Sequence, residues 1–168
     1  MTPLLDEDVA FFTDAIKRPG AARVVPFEPW HMPLLTPRDH ERAAFGALGG
    51  VERTAQLCDE AEHAYTLMAG GAPVAACIGC TVMWAGVGTA WAFLSPAALC
   101  HWRLIHGSVR MFLAQAFSSG EFRRIQTSVR ADHEAGRRWV EHLGFVVEGP
   151  EYAYCPDGAD AIRYVRLR

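Results

Sequence analysis

Between His63 and Gly120 the chain contains no aspartate and no glutamate, and its only full charges are Arg103 and Arg110. So long a stretch without acid reads as core strands followed by a core-facing helix rather than as solvated surface. Elsewhere the charges are sorted. Residues 1–100 hold 6 Lys and Arg against 11 Asp and Glu, whereas residues 101–168 hold 10 Arg against 8. The formal net charge is −3 and the isoelectric point about 6.1. No bulk basic character argues for nucleic-acid binding, and the C-terminal part is the better host for a small anion. No signal peptide is expected: Asp6, Glu7 and Asp8 stand where one has its positive region, and no apolar run follows. No apolar run is long enough to span a membrane, because residues 72–99 are broken by Gly79, Gly86, Gly88 and Pro96. The five cysteines are odd in number and lie mostly among apolar neighbours, as expected of reduced core thiols in a cytoplasmic protein. Repeats and low-complexity segments are absent. What is present, 168 residues of which 51% are apolar, suffices for one self-contained globular domain.

The spacing of apolar and turn residues predicts the elements. Residues 4–17 read as a helix, acidic at its start and ending in Lys17-Arg18, with Pro19-Gly20 as its stop. Residues 22–27 form a first strand. Residues 30–62 are helical in pieces, interrupted by Pro33, Pro37 and Gly49-Gly50. Three strands follow over 64–69, 74–84 and 89–94, with turns at Gly70-Gly71 and at residues 85–88. Residues 100–117 place Trp102, Ile105, Val109, Phe112, Leu113 and Ala116 on one helical face. Residues 124–129 are a strand and residues 133–143 a helix with Asp132 as its expected N-cap. Two strands close the chain.

The most specific text is residues 129–148. A short amphipathic helix ends at Leu143-Gly144, and Phe145-Val146-Val147 begins a strand at once. Glycine at that point is a C-cap, since it takes a left-handed conformation without a Cβ penalty. Glu148-Gly149, Tyr152, Pro156-Asp157-Gly158 and Ile162-Arg163-Tyr164 continue as strand, turn and closing strand. This passage resembles the C-terminal half of the GCN5-related N-acetyltransferase (GNAT) fold, and is most similar to small GNAT-like proteins encoded by tailed phages. The resemblance covers residues 21–168 in layout and 129–166 in specific motifs. It implies an α/β (α+β) fold: a mixed, mainly antiparallel central sheet with splayed central strands, flanked by helices. Residues 1–20 then form an N-terminal helical extension, with apolar Val9, Phe11, Phe12 and Ile16 for docking on the domain or on a partner chain.

The same resemblance implies acetyl-CoA as cofactor. Its pantetheine arm would pair with backbone between the strands at 89–94 and 124–129, and its pyrophosphate would meet the helix start near Cys100 to Arg103. The implied cofactor residues are Phe93, Leu94, Cys100, His101, Arg103, His133 and Arg137. Two features depart from the family pattern. Aligning Leu94-Ser95-Pro96 with the family's Val-x-Pro leaves residues 97–104 without the glycines of its phosphate loop. Counting back from Gly144-Phe145, the family's frequent Asn falls on His133 and its proton-donating Tyr on Val140, which has no proton to give. His133 either keeps a hydrogen bond to the cofactor or occupies the first helical turn. Glu41, Ser95 and Tyr152 are the candidate catalytic residues, beside Glu28, Asp39, His40, His101 and Tyr154 as further polar groups.

No metal site is expected: Cys77 and Cys80 have CxxC spacing but sit in a strand, with no second ligand pair. The resemblance thus implies N-acetyl transfer to an amine, small-molecule or protein. The alternative is a catalytically inactive GNAT-fold module for binding or assembly, conceivably in a virion. Implied partners are the acceptor and a further copy or a virion component, not nucleic acid or membrane, with the host cytoplasm or the virion as the location.

Overall fold

The computed structural model describes residues 22–69 and 74–168. The helix expected over 4–17, the extension 1–20 and the turn at Gly70-Gly71 lie outside the described residues. In chain order come β1 (Arg23–Pro26), a 3-10 helix (Pro29–Leu34), α1 (Asp39–Ala47), α2 (Val51–Asp59), β2 (His63–Met68), β3 (Val74–Trp84) and β4 (Val87–Leu94). A second 3-10 helix (Pro96–His101), α3 (Trp102–Ser118), β5 (Arg124–Arg130), α4 (Glu134–His142), β6 (Val146–Glu151) and β7 (Ala161–Leu167) complete it. The strands make one seven-stranded sheet in the order β1-β2-β3-β4-β5-β7-β6. β1 with β2, β5 with β7 and β6 with β7 are antiparallel, while β4 and β5 are parallel. This is the mixed, mainly antiparallel sheet expected from the sequence.

Three local readings change. β4 starts at Val87, two residues earlier than predicted, so the turn before it is shorter. Gly88 belongs to the strand for a packing reason: a Cβ there would stand 2.6 Å from Cys80 Sγ and 2.7 Å from the Phe122 ring. The helix expected from residue 100 begins as a 3-10 turn, and its α-helical part starts at Trp102. The N-cap of α4 is His133, not Asp132. Asp132 instead accepts a hydrogen bond from Arg130 Nε at 2.8 Å, which occupies the oxygen a cap would use. The C-terminus of α4 is as expected. Gly144 has φ +86°, its N–H reaches Glu141 O at 2.9 Å, and Phe145 N–H reaches Val140 O at 3.1 Å. These paired bonds satisfy carbonyls that the helix end leaves open.

The chain packs as two compact units. Of the described residues, one holds 22–69, 74–79 and 92–108, the other 80–91 and 109–168. In the first, β1 and β2 pair from Arg23 with Met68 to Pro26 with Tyr65. Its interior contains a polar chain. Glu28 N–H donates to His31 Nδ1 at 3.0 Å, and Thr66 Oγ1 lies 3.0 Å from the same nitrogen. Thr66 Oγ1 also lies 3.8 Å from Cys77 Sγ. His31, Thr66 and Cys77 are buried. Accepting a backbone N–H fixes Nδ1 as the unprotonated nitrogen, so the folded protein holds neutral imidazole. Burial lowers the His31 pKa below its usual 6.5, against a smaller upward pull from Glu28.

The sign of the pH dependence follows. The stabilisation is fully present above about pH 6.5, the usual histidine value, and is lost as the pH falls from there toward the lowered folded value. Melting temperatures measured between pH 7 and pH 5 should fall more steeply for the native protein than for His31→Gln. Equal slopes would remove His31 from the acid response.

In the second unit, α3 supplies Leu113, Ala116 and Phe117, and α4 with its cap supplies Val140 and Leu143. They pack with Cys80, Phe122, Ile125, Phe145 and Tyr164 in one apolar cluster. Burial pushes the Cys58, Cys77 and Cys80 thiols up to about 12. They therefore stay protonated at neutral pH, the state expected of core thiols.

Candidate functional site

β4 and β5 run parallel but are paired over only three residues: Val87 with Arg124, Gly88 with Ile125 and Thr89 with Gln126. Both strands continue beyond that point, to Leu94 and Arg130. Ala90 and Trp91 therefore diverge from Thr127 and Ser128, and the ladder between them stops. β5 stays paired along its other edge, from Arg124 with Leu167 to Arg130 with Ala161 on β7. An opened parallel pair presents backbone N–H and C=O groups on its inner edges, and these need partners. Trp91 lies on one side of this opening, its Nε1–H donating to Thr81 Oγ1 at 3.2 Å.

Cross-strand register sorts the side chains of the second unit by face. One face carries Ile125, Val129, Ile162 and Tyr164 into the core cluster. The other carries Thr89, Arg124, Gln126, Ser128, Arg130 and Arg163. Its three arginines are paired. Arg124 grips Glu148 with two donors at 2.7 and 2.5 Å and holds that carboxyl below the usual range. Arg130 reaches Asp132 and, at 2.6 Å, Asp157, whose carboxyl it likewise lowers. Arg163 donates to Glu151 through Nε at 2.8 Å and through Nη2.

The candidate residues of the first unit surround the end of β4. Glu41, on the first turn of α1, is buried and has both carboxylate oxygens engaged. Oε2 accepts Arg38 N–H at 2.8 Å and Oε1 accepts Leu94 N–H at 2.7 Å. Phe93 stacks on Phe45 with centroids 4.9 Å apart. Ser95 is buried; its Oγ donates to Ala75 O at 3.0 Å and its N–H donates to the same oxygen at 2.9 Å. Cys100 and Arg103 are exposed and His101 is half-buried. Glu41 and Leu94 are thus joined directly. His40 lies between Asp39 and Glu41 on the first turn of α1.

Three candidates lie in the second unit. His133 is the half-buried N-cap of α4, and its carbonyl accepts Arg137 N–H at 3.0 Å. Arg137 donates to Ala131 O at 3.2 Å and to the Tyr164 hydroxyl at 3.4 Å. Tyr152 is 78% exposed at the start of the β6–β7 loop. Val140, at the position of the family's tyrosine, is buried in the apolar cluster. Two polar residues escaped the sequence reading. Tyr164 is fully buried, with its hydroxyl donating to Glu141 Oε1 at 2.9 Å. Burial raises its pKa, with Arg137 opposing and Glu141 adding to the rise. Glu151 is the second. Strand alternation signals the facing of both, but their partners depend on the β5-β7-β6 register, which no local pattern encodes. For Glu41 a signal existed: a glutamate three residues after the helix cap is the spacing at which a side chain reaches back to the cap N–H.

No protein-family model matches this chain, and no curated protein matches it in sequence. Solved structures do match. Ard1 from Thermoplasma volcanium superposes with a TM-score of 0.69 at 16% identity, over 88% of this chain and 97% of that one. A GNAT-family acetyltransferase from Bacillus anthracis gives 0.63 at 13%, over 89% and 96%. RimL, a ribosomal alpha-N-protein acetyltransferase solved in complex with coenzyme A, gives 0.63 at 14%, over 88% and 94%. At such identities the likeness carries the fold alone. Among the described residues no helix is long and apolar enough to cross a membrane. The chain has the fold of the GNAT acetyltransferases.

Proposed function

We propose that this protein is an acyl-CoA-dependent N-acetyltransferase that moves an acetyl group to an amine. The observation that carries the reading is the parting of β4 from β5 after Thr89 and Gln126. Opened backbone of that kind suits the amides of a pantetheine arm, which need donors and acceptors in an extended row. Phe93 and Leu94 on β4, Cys100, His101 and Arg103 around the start of α3, and His133 and Arg137 on α4 are assigned to the cofactor. Acetyl-CoA, when bound, supplies an activated acyl thioester. The protein's part is then to orient an amine beside it and to let the amine proton leave.

The chain's own residues constrain how that is done. Glu41 and Ser95 are committed to backbone partners, so each acts on a substrate only by giving one up. Tyr152 keeps an exposed phenol. Arg103 is the assigned phosphate contact, because residues 97–104 contain no glycine to bring backbone N–H groups close. A second reading has a specific observation in its favour. Val140 is buried where the family has a proton donor, which suits a GNAT-fold module retained for binding or assembly. The finer elements, a tailed-phage source and a place in the host cytoplasm, belong to the proposal under either reading, and a place in the virion goes with the second.

Calorimetry with millimolar acetyl-CoA tests the proposal. The enzyme should release or absorb heat on binding, and its melting temperature should rise, since a ligand selective for the native state stabilises it. Arg103→Ala should weaken binding by about 1–3 kcal/mol, the scale of a charge-assisted hydrogen bond. Neither heat nor a melting shift would end the acyltransferase reading. Full affinity in the Arg103→Ala protein would move the phosphate site elsewhere.

A further inference from the structure

Gly136 is out of place by the rules of helix composition. It lies in the first turn of α4, where alanine would be the more favourable residue because glycine loses more backbone freedom. Backbone conformation does not call for it, since the residue is helical. Space does. A Cβ at Gly136 would stand 2.4 Å from His133 Cδ2, 2.9 Å from His133 Nε2 and 3.2 Å from Val129 Cγ1. Carbon atoms in ordinary contact sit about 3.5–4.0 Å apart, so no side chain fits there while the imidazole stays where it is. The Cδ2–Nε2 edge of His133 is thus laid on the bare backbone of α4.

These three residues stand at the opening. Val129 belongs to the stretch of β5 that has left β4, because the ladder between the two strands ends at Gln126 and β5 runs on to Arg130. His133 follows that strand end after Ala131 and Asp132, and it caps α4 without a side-chain capping hydrogen bond. Its ring and Val129 Cγ1 both come within 3.2 Å of one point, the place where a side chain at 136 would begin. The fit against Gly136 therefore sets the imidazole beside the parted end of β5.

We propose that Gly136 is a positioning residue for the cofactor: by lacking a side chain it seats the His133 imidazole on the first turn of α4, beside the parted end of β5, where His133 meets acetyl-CoA. The proposal rests on the acyltransferase reading, which assigns His133 to the cofactor, and names the residue through which that contact is set. Gly136 itself touches no cofactor. Alanine at 136 moves the ring, because turning about the His133 side-chain bonds relieves the overlap most easily. Val129 gives less, being β-branched and on a strand paired with Ile162. Gly136→Ala thus displaces one ring and leaves α4 folded.

Gly136→Ala, His133→Ala and the double variant form the test. In the His133→Ala protein, adding Gly136→Ala should raise the melting temperature by about 2–4 °C, the ordinary gain of alanine over glycine in a helix. In the native protein that rise should be absent. Calorimetry with acetyl-CoA should show about tenfold weaker binding in Gly136→Ala and in His133→Ala, the scale of one lost hydrogen bond, and no further loss in the double variant. Nuclear magnetic resonance separates positioning from stability: the His133 ring signals should shift when acetyl-CoA is added to the native protein and not when it is added to Gly136→Ala. An equal melting rise in both backgrounds, native affinity in Gly136→Ala, additive losses in the double variant, or an unchanged ring response in Gly136→Ala would each overturn the proposal. A native protein that binds no acetyl-CoA removes the acyltransferase reading and the positioning role with it. A native protein that binds, with Gly136→Ala binding equally well, removes the positioning role alone.

Discussion

Glu41→Ala is expected to destabilise the protein by about 2–4 kcal/mol, the loss of two hydrogen bonds to a charged group with the Leu94 N–H left buried and the Arg38 N–H half-buried. The carboxylate joins the first turn of α1 to the end of β4 by accepting Arg38 N–H at one oxygen and Leu94 N–H at the other. Alanine removes both acceptors at once. Glutamine is the informative companion. Its amide oxygen serves one N–H, but its amide nitrogen is a donor and faces the other N–H unfavourably. Glu41→Gln should therefore recover part of the loss, not all of it. Urea unfolding of the three proteins checks the order, native above Gln above Ala. If Ala matches the native protein, the carboxylate is not holding the strand end.

Tyr164→Ala should cost a similar amount, about 3–5 kcal/mol, through a different mechanism. The ring is completely buried in the cluster built from α3, α4, β5 and β7, and its removal leaves a cavity among Ile125, Val140 and Leu143. Tyr164→Phe keeps the ring and deletes only the hydroxyl. Its donor bond to Glu141 and its contact from Arg137 reach the rim of the helix, where Glu141 is exposed and water takes over. That variant should lose only about 1 kcal/mol. Thermal melts of both variants distinguish them, and comparable losses would show that the hydroxyl, not the ring, carries the stability.

The order of strands and helices was legible because it depends on local signals. Apolar runs bounded by turn glycines mark β2 and β3, the apolar face marks α3, and Leu143-Gly144-Phe145 marks the end of α4. Gly88 was misread as a turn residue because a glycine beside Gly86 looks like punctuation. Only the approach of Cys80 and Phe122 shows that it is there for lack of a side chain. Asp132 was misread for a related reason. Asp before a helix is a good cap, but Arg130 two residues back on the same strand end binds its carboxylate first. The candidate site divides in the same way. Leu94 and Phe93 follow from the position of β4 in the chain. The bond from Glu41 to Leu94 spans 53 residues and Glu151 meets Arg163 across a hairpin. Such pairs become visible only once the register is known.

The ties around the β6–β7 loop bear on how the chain survives degradation. Residues 152–160 are largely exposed and contain Pro156 and Gly158, the composition that proteases ordinarily find first. Yet Arg130 holds Asp157, Asp160 Oδ1 takes Ala153 N–H at 2.8 Å, Asp160 O takes Ala131 N–H at 2.9 Å, and Cys155 N–H reaches Ala159 O at 2.9 Å. A protease needs several residues in extended form, and each of these anchors has to be released to give them. Exposure here does not mean susceptibility: the loop is cut only when it detaches from β5, so its lifetime depends on these hydrogen bonds together with one ion pair, Arg130 with Asp157, that salt weakens and that acid removes by protonating Asp157.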